Sequence, residues 1–470
     1  MSDTHSPEDN PSTADEDWSD SALPRMRDEE GDGQVGPALE EELDTRRFRP
    51  TGPVAKVLYE RIRTGGSFEG ETLVRFSMKK KVFEGELRFD ECELQRCVFT
   101  GCRFKEKVIF KNCLLERTTF RGAQFEKGVD FIRCEFRGPS VRFQSLRVGG
   151  AFRTRNCLFS DRTVFDQCVF EGLHDGWDSR ARGWVDFSRC TWEDHLDLRS
   201  IQFEEGVVFR NSFIRKDCLL RGVNIQKKLT LEGTSLGGCF DLQKAKLHDF
   251  SYLQDLKLEP SANFRFWNSI PQALLIRPQQ LAGRLASEAE EDHATAAEEY
   301  GILKNNFARL NWLDEEDWAY YRFKQASWRA RRDRGEGGVL GSVGRFLEWL
   351  IFDKGCGYGT MPMRVLLSAV LVILFFAMVY CLPLITHGVP GYDSGEQVRA
   401  SLKTYRLTGS SKVDAVATAL IGSTSAFVSG FDALAKDVDG WLAVALTLEG
   451  LSGMLLLGLF IVSFSRKVIR

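Results

Sequence analysis

The sequence predicts a β-solenoid, then a helical hairpin, then a two-span membrane module with a re-entrant helix between the spans. Three observations predict it. An apolar residue recurs every 10 or 11 positions from about residue 68 to 260. An amphipathic helical stretch follows Pro271 and Pro278. Two long apolar runs lie near the C-terminus.

The repeat unit is a large apolar residue, two variable positions, a small residue, one variable position and a second large apolar residue. Phe89, Cys92 and Leu94 form one copy; Phe99, Cys102 and Phe104 the next; then Phe110, Cys113 and Leu115, Phe120, Ala123 and Phe125, and Phe131, Cys134 and Phe136. The pattern returns at Phe165, Phe187, Leu198, Leu220, Leu231, Leu242 and Leu253, at multiples of 11. Spacings of five and six fit neither a 3.6-residue helix nor a two-residue strand alternation. They fit a chain that turns a corner about every five residues, whose coils bury a common core only when stacked. Roughly eight or nine coils at strand spacing make a rod on the order of 40 Å long. The stretch from Phe170 to Trp184 falls out of phase and is expected to protrude as a loop.

These residues resemble the pentapeptide-repeat family, whose unit is a small residue, any residue, then Leu or Phe. Ala123 and Phe125, and Ala245 and Leu247, match it directly. The resemblance implies a right-handed, four-sided β-helix over 68–265. Its alternation of five and six departs from the family's steady five and predicts bulged corners or a less regular cross-section.

Twelve cysteines fall mostly at the small position. They read either as a redox or metal ladder or as small buried hydrophobes. Sharing that position with Ala123, Ala245, Thr234 and Val223 favours the core reading. With no zinc-like spacing, no metal and no cofactor are expected. Residues 1–50 read as a disordered acidic tail rich in Asp and Glu, with Glu40, Glu41 and Glu42 in one run. The tail is a solvating extension or a partner-binding segment. No basic and apolar leader opens the chain, so the N-terminus is expected in the cytosol. The solenoid mixes acids with bases such as Lys79, Lys80 and Lys81, which argues against a DNA mimic and against nucleic-acid binding.

Ala296, Tyr300, Leu303, Phe307 and Leu310 lie at helical spacing, and Trp318, Tyr321, Phe323 and Trp328 mark a second helix. Together they predict a connector hairpin over 285–335, with Ser287 and Glu290 as its capping box. It reads as a cap on the open end of the solenoid. An amphipathic segment over 340–356, with Phe346, Leu347, Trp349, Leu350 and Phe352, fits a helix on the inner membrane surface. Membrane lipids are therefore an expected partner.

Residues 363–386 and 441–464 are each long and apolar enough to span a bilayer. Arg329 to Arg364 precede the first span, and Arg466, Lys467 and Arg470 follow the second. By the positive-inside rule both termini face the cytosol of a two-span protein in the cell membrane. A weaker apolar segment from Asp414 to Phe427, with Asp414 as its N-cap, is too short to cross and suits a re-entrant half-helix, which with a filter-like loop after it fills 414–432.

Span, half-helix, loop and span resemble the layout of two-transmembrane potassium channels. Gly357, Tyr358 and Gly359 followed by Pro362 and Arg364, and Leu448 to Gly453 followed by Arg466 and Lys467, are similar to the span ends of pentapeptide-repeat channel proteins. The resemblance implies a filter-like loop at Val428, Ser429, Gly430, Phe431 and Asp432. Val428 stands where the filter has threonine, and Asp432 where it has its second glycine, which argues against potassium selectivity. It also implies a homotetramer passing a monovalent cation. Asp432, Asp437 and Asp439 read as carboxylate rings or as solvated loop acids. Glu449, inside the second span, must face protein or water. It either lies on the ion path or bonds to the pore helix through Ser423 or Thr424. Gly453 reads as a close-packing position or a hinge. The favoured function is a cation-channel-like protein whose solenoid binds an unknown cytosolic protein partner. The alternative is a non-conducting, membrane-anchored scaffold or sensor. No nucleophile elbow, P-loop or paired-carboxylate site appears, so no enzyme is expected.

Overall fold

The computed structural model describes residues 60–139, 141–335, 338–386, 411–429 and 441–468. The acidic tail and Gly430, Phe431, Asp432, Asp437 and Asp439 lie outside the described residues.

The solenoid is parallel throughout. One face carries ten strands, from Gly66–Glu69 to Asn263–Arg265, one per coil. There are thus ten coils, not eight or nine. A second face has nine strands, and a 15-stranded sheet joins the remaining two faces through the long strand Lys246–Tyr252. One turn takes 21 residues where Gly66 pairs with Leu87, 22 where Phe152 pairs with His174, and 24 where Cys239 pairs with Asn263. The corners are tight turns, not bulges. Just before most of the small positions the backbone is left-handed, as at Glu91, Asn112 and Arg133 (φ 53°, 52° and 53°) and at Gly122 (φ 65°). The turn closes with an i to i+3 bond, as where Ala123 N–H donates to Phe120 O at 3.0 Å. The one register shift among the described ladders falls between Leu247 and Phe250.

Inside, identical rings stack at coil spacing. Phe68, Phe89, Phe110 and Phe131 sit 4.9, 4.8 and 4.9 Å apart in sequence along one column. The small position has a second job beyond compactness. Cys97 Sγ donates to Leu73 O at 3.2 Å, Cys113 Sγ to Phe89 O at 3.4 Å and Thr118 Oγ1 to Leu94 O at 3.0 Å. Each bond reaches a carbonyl of the preceding coil. Cysteine, serine and threonine are interchangeable here because each is small and carries one donor. The core reading of the cysteines therefore holds. Burial pushes the Cys97 thiol up to about 12, which leaves it inert.

The expected protruding loop is an ordinary coil. His174–Asp175 pairs with Phe152–Arg153 on one side and Leu196–Asp197 on the other. The phase looked broken because inward positions hold His174, Gly176, Ser179 and Ala181 in place of large apolar residues. A cavity of about 20 Å³, lined by Thr154, His174, Ser179 and Phe187 among others, fills the difference. That is room for one water.

His174 is buried among Phe152, Phe170 and Trp192, and Trp192 Nε1–H donates to its Nδ1 at 3.0 Å. Nδ1 is thus an acceptor and the ring is neutral. Burial pushes its pKa down to about 3 from 6.5. The unfolded chain binds this proton first as pH falls, so the stability contribution is complete above about pH 6.5 and is lost on descending toward 3. The slope reaches about 1.4 kcal/mol per pH unit. A His174→Leu chain, which repeats Leu196 of the next coil, is expected to lose less stability than the parent between pH 7 and pH 5. The parent is expected to lose stability over that range. Thermal unfolding followed by circular dichroism checks this.

The connector hairpin consists of His293–Arg309 and Leu313–Asp333. Its first helix is capped by Asp292, which accepts from Thr295 N, and not by the Ser287 and Glu290 pair. Ser287 instead donates to Glu299 at 2.5 Å. Glu299 and Asn306 lie in the apolar stripe and serve the last coils. Glu299 accepts from Phe266 N and Trp267 N at 2.7 and 3.1 Å, and Asn306 accepts from Leu274 N and donates to its carbonyl. The hairpin thereby satisfies backbone groups that an open solenoid end would leave unpaired.

Candidate functional site in the C-terminal helices

Two helices are long and apolar enough to cross a membrane: Pro362–Thr386 and Trp441–Val468. Their apolar windows are only 17% and 28% buried. A core helix of a soluble protein would be mostly covered. Here Leu367, Leu371, Phe375, Leu451, Leu457 and Ile461 all stand open on their outer faces.

Between them packs a central helix, Ser411–Ser429, in contact with both. It begins three residues before Asp414, so that carboxylate sits in the first turn and does not form the cap. With 19 residues it is longer than the short dip the sequence suggested. Its inward stripe is small: Ala415, Ala419, Ser423 and Ala426. That lets it lie close against Tyr380, Leu384, Leu442 and Leu446.

Glu449 ties the three helices together. It is fully buried. Tyr380 Oη–H of the first apolar helix donates to its Oε2 at 2.7 Å, and Ser423 of the central helix hydrogen-bonds its Oε1. Ser423 Oγ also lies 2.8 Å from Ile373 O. Of the two hydroxyls expected to reach Glu449, Ser423 does so. Thr424 is exposed and donates to Leu420 O within its own helix. Four residues on from Glu449, a side chain at Gly453 would run into the backbone carbonyl of Phe427. Gly453 is thus a close-packing position. Gly458 has open space where a Cβ would stand. Val428 is 76% exposed, and Ser429 Oγ donates to Ser425 O at 2.6 Å.

The surface segment is an α-helix, Gly338–Glu348, continued by a wider π-helical stretch, Trp349–Gly355. The change of pitch turns Asp353 inward, where Gln325 Nε2 donates to it at 2.9 Å. Phe346, Leu347, Leu350 and Phe352 remain exposed. Gly357, Tyr358 and Gly359 all have positive φ (56°, 53° and 80°) and make the tight bend into the first apolar helix.

The second hairpin helix grips both apolar helices at these ends. Arg466 donates to Asp317 at 2.8 Å and lies over the Tyr320 ring at 4.6 Å, and Lys467 pairs with Asp314 at 3.2 Å. Arg364 stacks on Tyr321 at 5.6 Å. Tyr380, Tyr320, Asp317 and Arg466 are partners that sequence reasoning missed. The signal was present in the run of four acids that opens this hairpin helix, Asp314, Glu315, Glu316 and Asp317. Among the described residues no cluster of His, Cys, Asp or Glu is arranged to hold a metal.

Fold and site together define a parallel β-solenoid with a helical cap and two helices able to cross a membrane. Residues 89–135 match the family model described as pentapeptide repeats in nine copies. No curated protein and no solved structure matches the chain.

Proposed function

We propose that this is a cation-channel-like membrane protein, a homotetramer whose two apolar helices span the cell membrane with both termini in the cytosol. The central helix enters the bilayer and returns, and its last residues Val428 and Ser429, with Gly430, Phe431 and Asp432 after them, form a degenerate filter passing a monovalent cation. The solenoid, read as right-handed, hangs in the cytosol and receives an unknown protein partner. The protein does no catalysis. The observation that carries the reading is the central helix wedged between both apolar helices and bonded to the buried Glu449 through Ser423. A carboxylate inside an apolar helix is retained where it fixes a packed polar joint. Outer faces left apolar on both helices support lipid or neighbouring subunits as their cover.

A non-conducting anchor is the second reading. Val428 favours it, because an apolar side chain replaces the threonine hydroxyl of the potassium filter. Liposome flux assays separate the two. The channel reading expects cation flux from the purified protein, blocked by Gly430→Trp. Silent liposomes and a monomeric mass in detergent would replace it with the anchor.

A further inference from the structure

One corner of the solenoid carries a ladder in which an exposed tryptophan lies between guanidinium groups. Trp177 is 43% exposed. The Arg155 and Arg199 guanidiniums lie 6.0 and 5.7 Å from its ring, one from each neighbouring coil. Backbone bonds from Asn156 N to Trp177 O, Asp178 N to Arg199 O and Ser200 N to Arg221 O step the column from coil to coil. Two coils beyond Arg221, Trp267 extends it, with Lys244 of the coil between over its ring at 5.3 Å.

The charges in this strip are layered. Arg155 binds Asp175, Arg199 binds Asp197 and Arg221 binds Asp241. The arginine side chains are 41%, 42% and 44% exposed, while their carboxylates are 3%, 9% and 0% exposed. The acids hold the guanidiniums in place from below, and an approaching molecule meets cations and an indole. Preset arginine and tryptophan are the residue types that carry binding energy at interfaces. Their natural complement is an extended chain bearing carboxylates.

The chain contains such a segment. Residues 1–45 hold 15 acidic and two basic side chains. With a net charge of −13 there and −3 overall, residues 46–470 carry +10. Asp15, Glu16, Asp17 and Asp20 surround Trp18. Trp177 lies five coils from the first, about 24 Å along the rod. The residues from 46 to 59 reach up to about 45 Å when extended. We propose that the acidic segment 1–45 docks in cis on the Arg155–Trp177–Arg199–Arg221 strip and competes there with acidic partners. The proposal stands apart from the channel reading.

The test uses the full chain in detergent with a photo-crosslinking amino acid at Gln243, on the same column. At 50 mM NaCl the crosslinks are expected within residues 1–45. They should fall at least tenfold at 500 mM NaCl, because exposed charges are screened. They should fall as far in Trp177→Ala. A tail variant with Asp15, Glu16, Asp17 and Asp20 changed to Asn or Gln leaves the solenoid untouched and is expected to lose them too. Crosslinks absent from 1–45, indifferent to tail neutralisation, or joining isotopically distinct copies would overturn cis docking. Displacement by a single-stranded oligonucleotide at lower concentration than by the free 1–45 peptide would also overturn it.

Discussion

Gly453→Val is expected to dismantle the packing of the central helix while leaving the solenoid intact. The added side chain meets the backbone carbonyl of Phe427, which cannot rotate out of the way. Relief requires the central helix to move off the second apolar helix, which also pulls Ser423 from Glu449. Overpacking typically costs about 1–3 kcal/mol, and stranding a buried polar group adds about 1–3 more. The expected result is a lower melting temperature and faster proteolysis after Ser411 in detergent, with an unchanged β signal from the solenoid. Gly453→Ala should give a smaller effect of the same sign. Gly458→Ala is the control. Its Cβ meets nothing, and alanine favours helix over glycine by about 1 kcal/mol. That variant should be neutral or slightly stabilised. If Gly453→Val melts with the parent, the close approach is not a determinant of this module.

The solenoid was legible because its core repeats. Each Phe of the column from Phe68 to Phe131 faces the same surroundings, so one register error would repeat in every coil. Legibility failed at the coil of His174 and Gly176, where small and polar residues replace the marker positions. The fold there is held by neighbours, since backbone pairing to Phe152 and Leu196 does not depend on side-chain size. Glu299 and Asn306 were passed over for the opposite reason. Within an apolar helical stripe they count as faults in the pattern, yet each bonds backbone groups more than 30 residues away. Helix periodicity carries no information about such distant partners. The Glu449 joint was half legible. A carboxylate within an apolar run demands a polar neighbour, and Ser423 was one of two hydroxyls at a suitable place. Tyr380 was hidden because nothing in its local sequence distinguishes it from a membrane-boundary aromatic.

Reversing charge across the joint between hairpin and second apolar helix is expected to separate two kinds of ion pair. Arg466 is only 20% exposed and Asp317 11%. The guanidinium also covers Tyr320 at 4.6 Å. Asp317→Arg brings a second guanidinium against Arg466 in a partly dry site, and loss of one partner from such a pair costs about 3–5 kcal/mol. Arg466→Asp should cost about as much, adding the lost contact with the Tyr320 ring. The double exchange should recover a substantial part, since opposite charges face each other again. Lys467 and Asp314 make a pair of similar length, but their side chains are 43% and 87% exposed. Solvent screens that pair, so Asp314→Lys is expected to cost under about 1 kcal/mol. Thermal unfolding and protease sensitivity near Arg334 measure each case. The contrast decides whether the hairpin grips the apolar helices through one buried arginine or through general attraction. Under the first account the solenoid, locked to the hairpin by Glu299 and Asn306, cannot tilt without pulling on Arg466. Equal effects at Asp317 and Asp314, or no recovery in the double exchange, would leave only the diffuse attraction and remove that rigid connection.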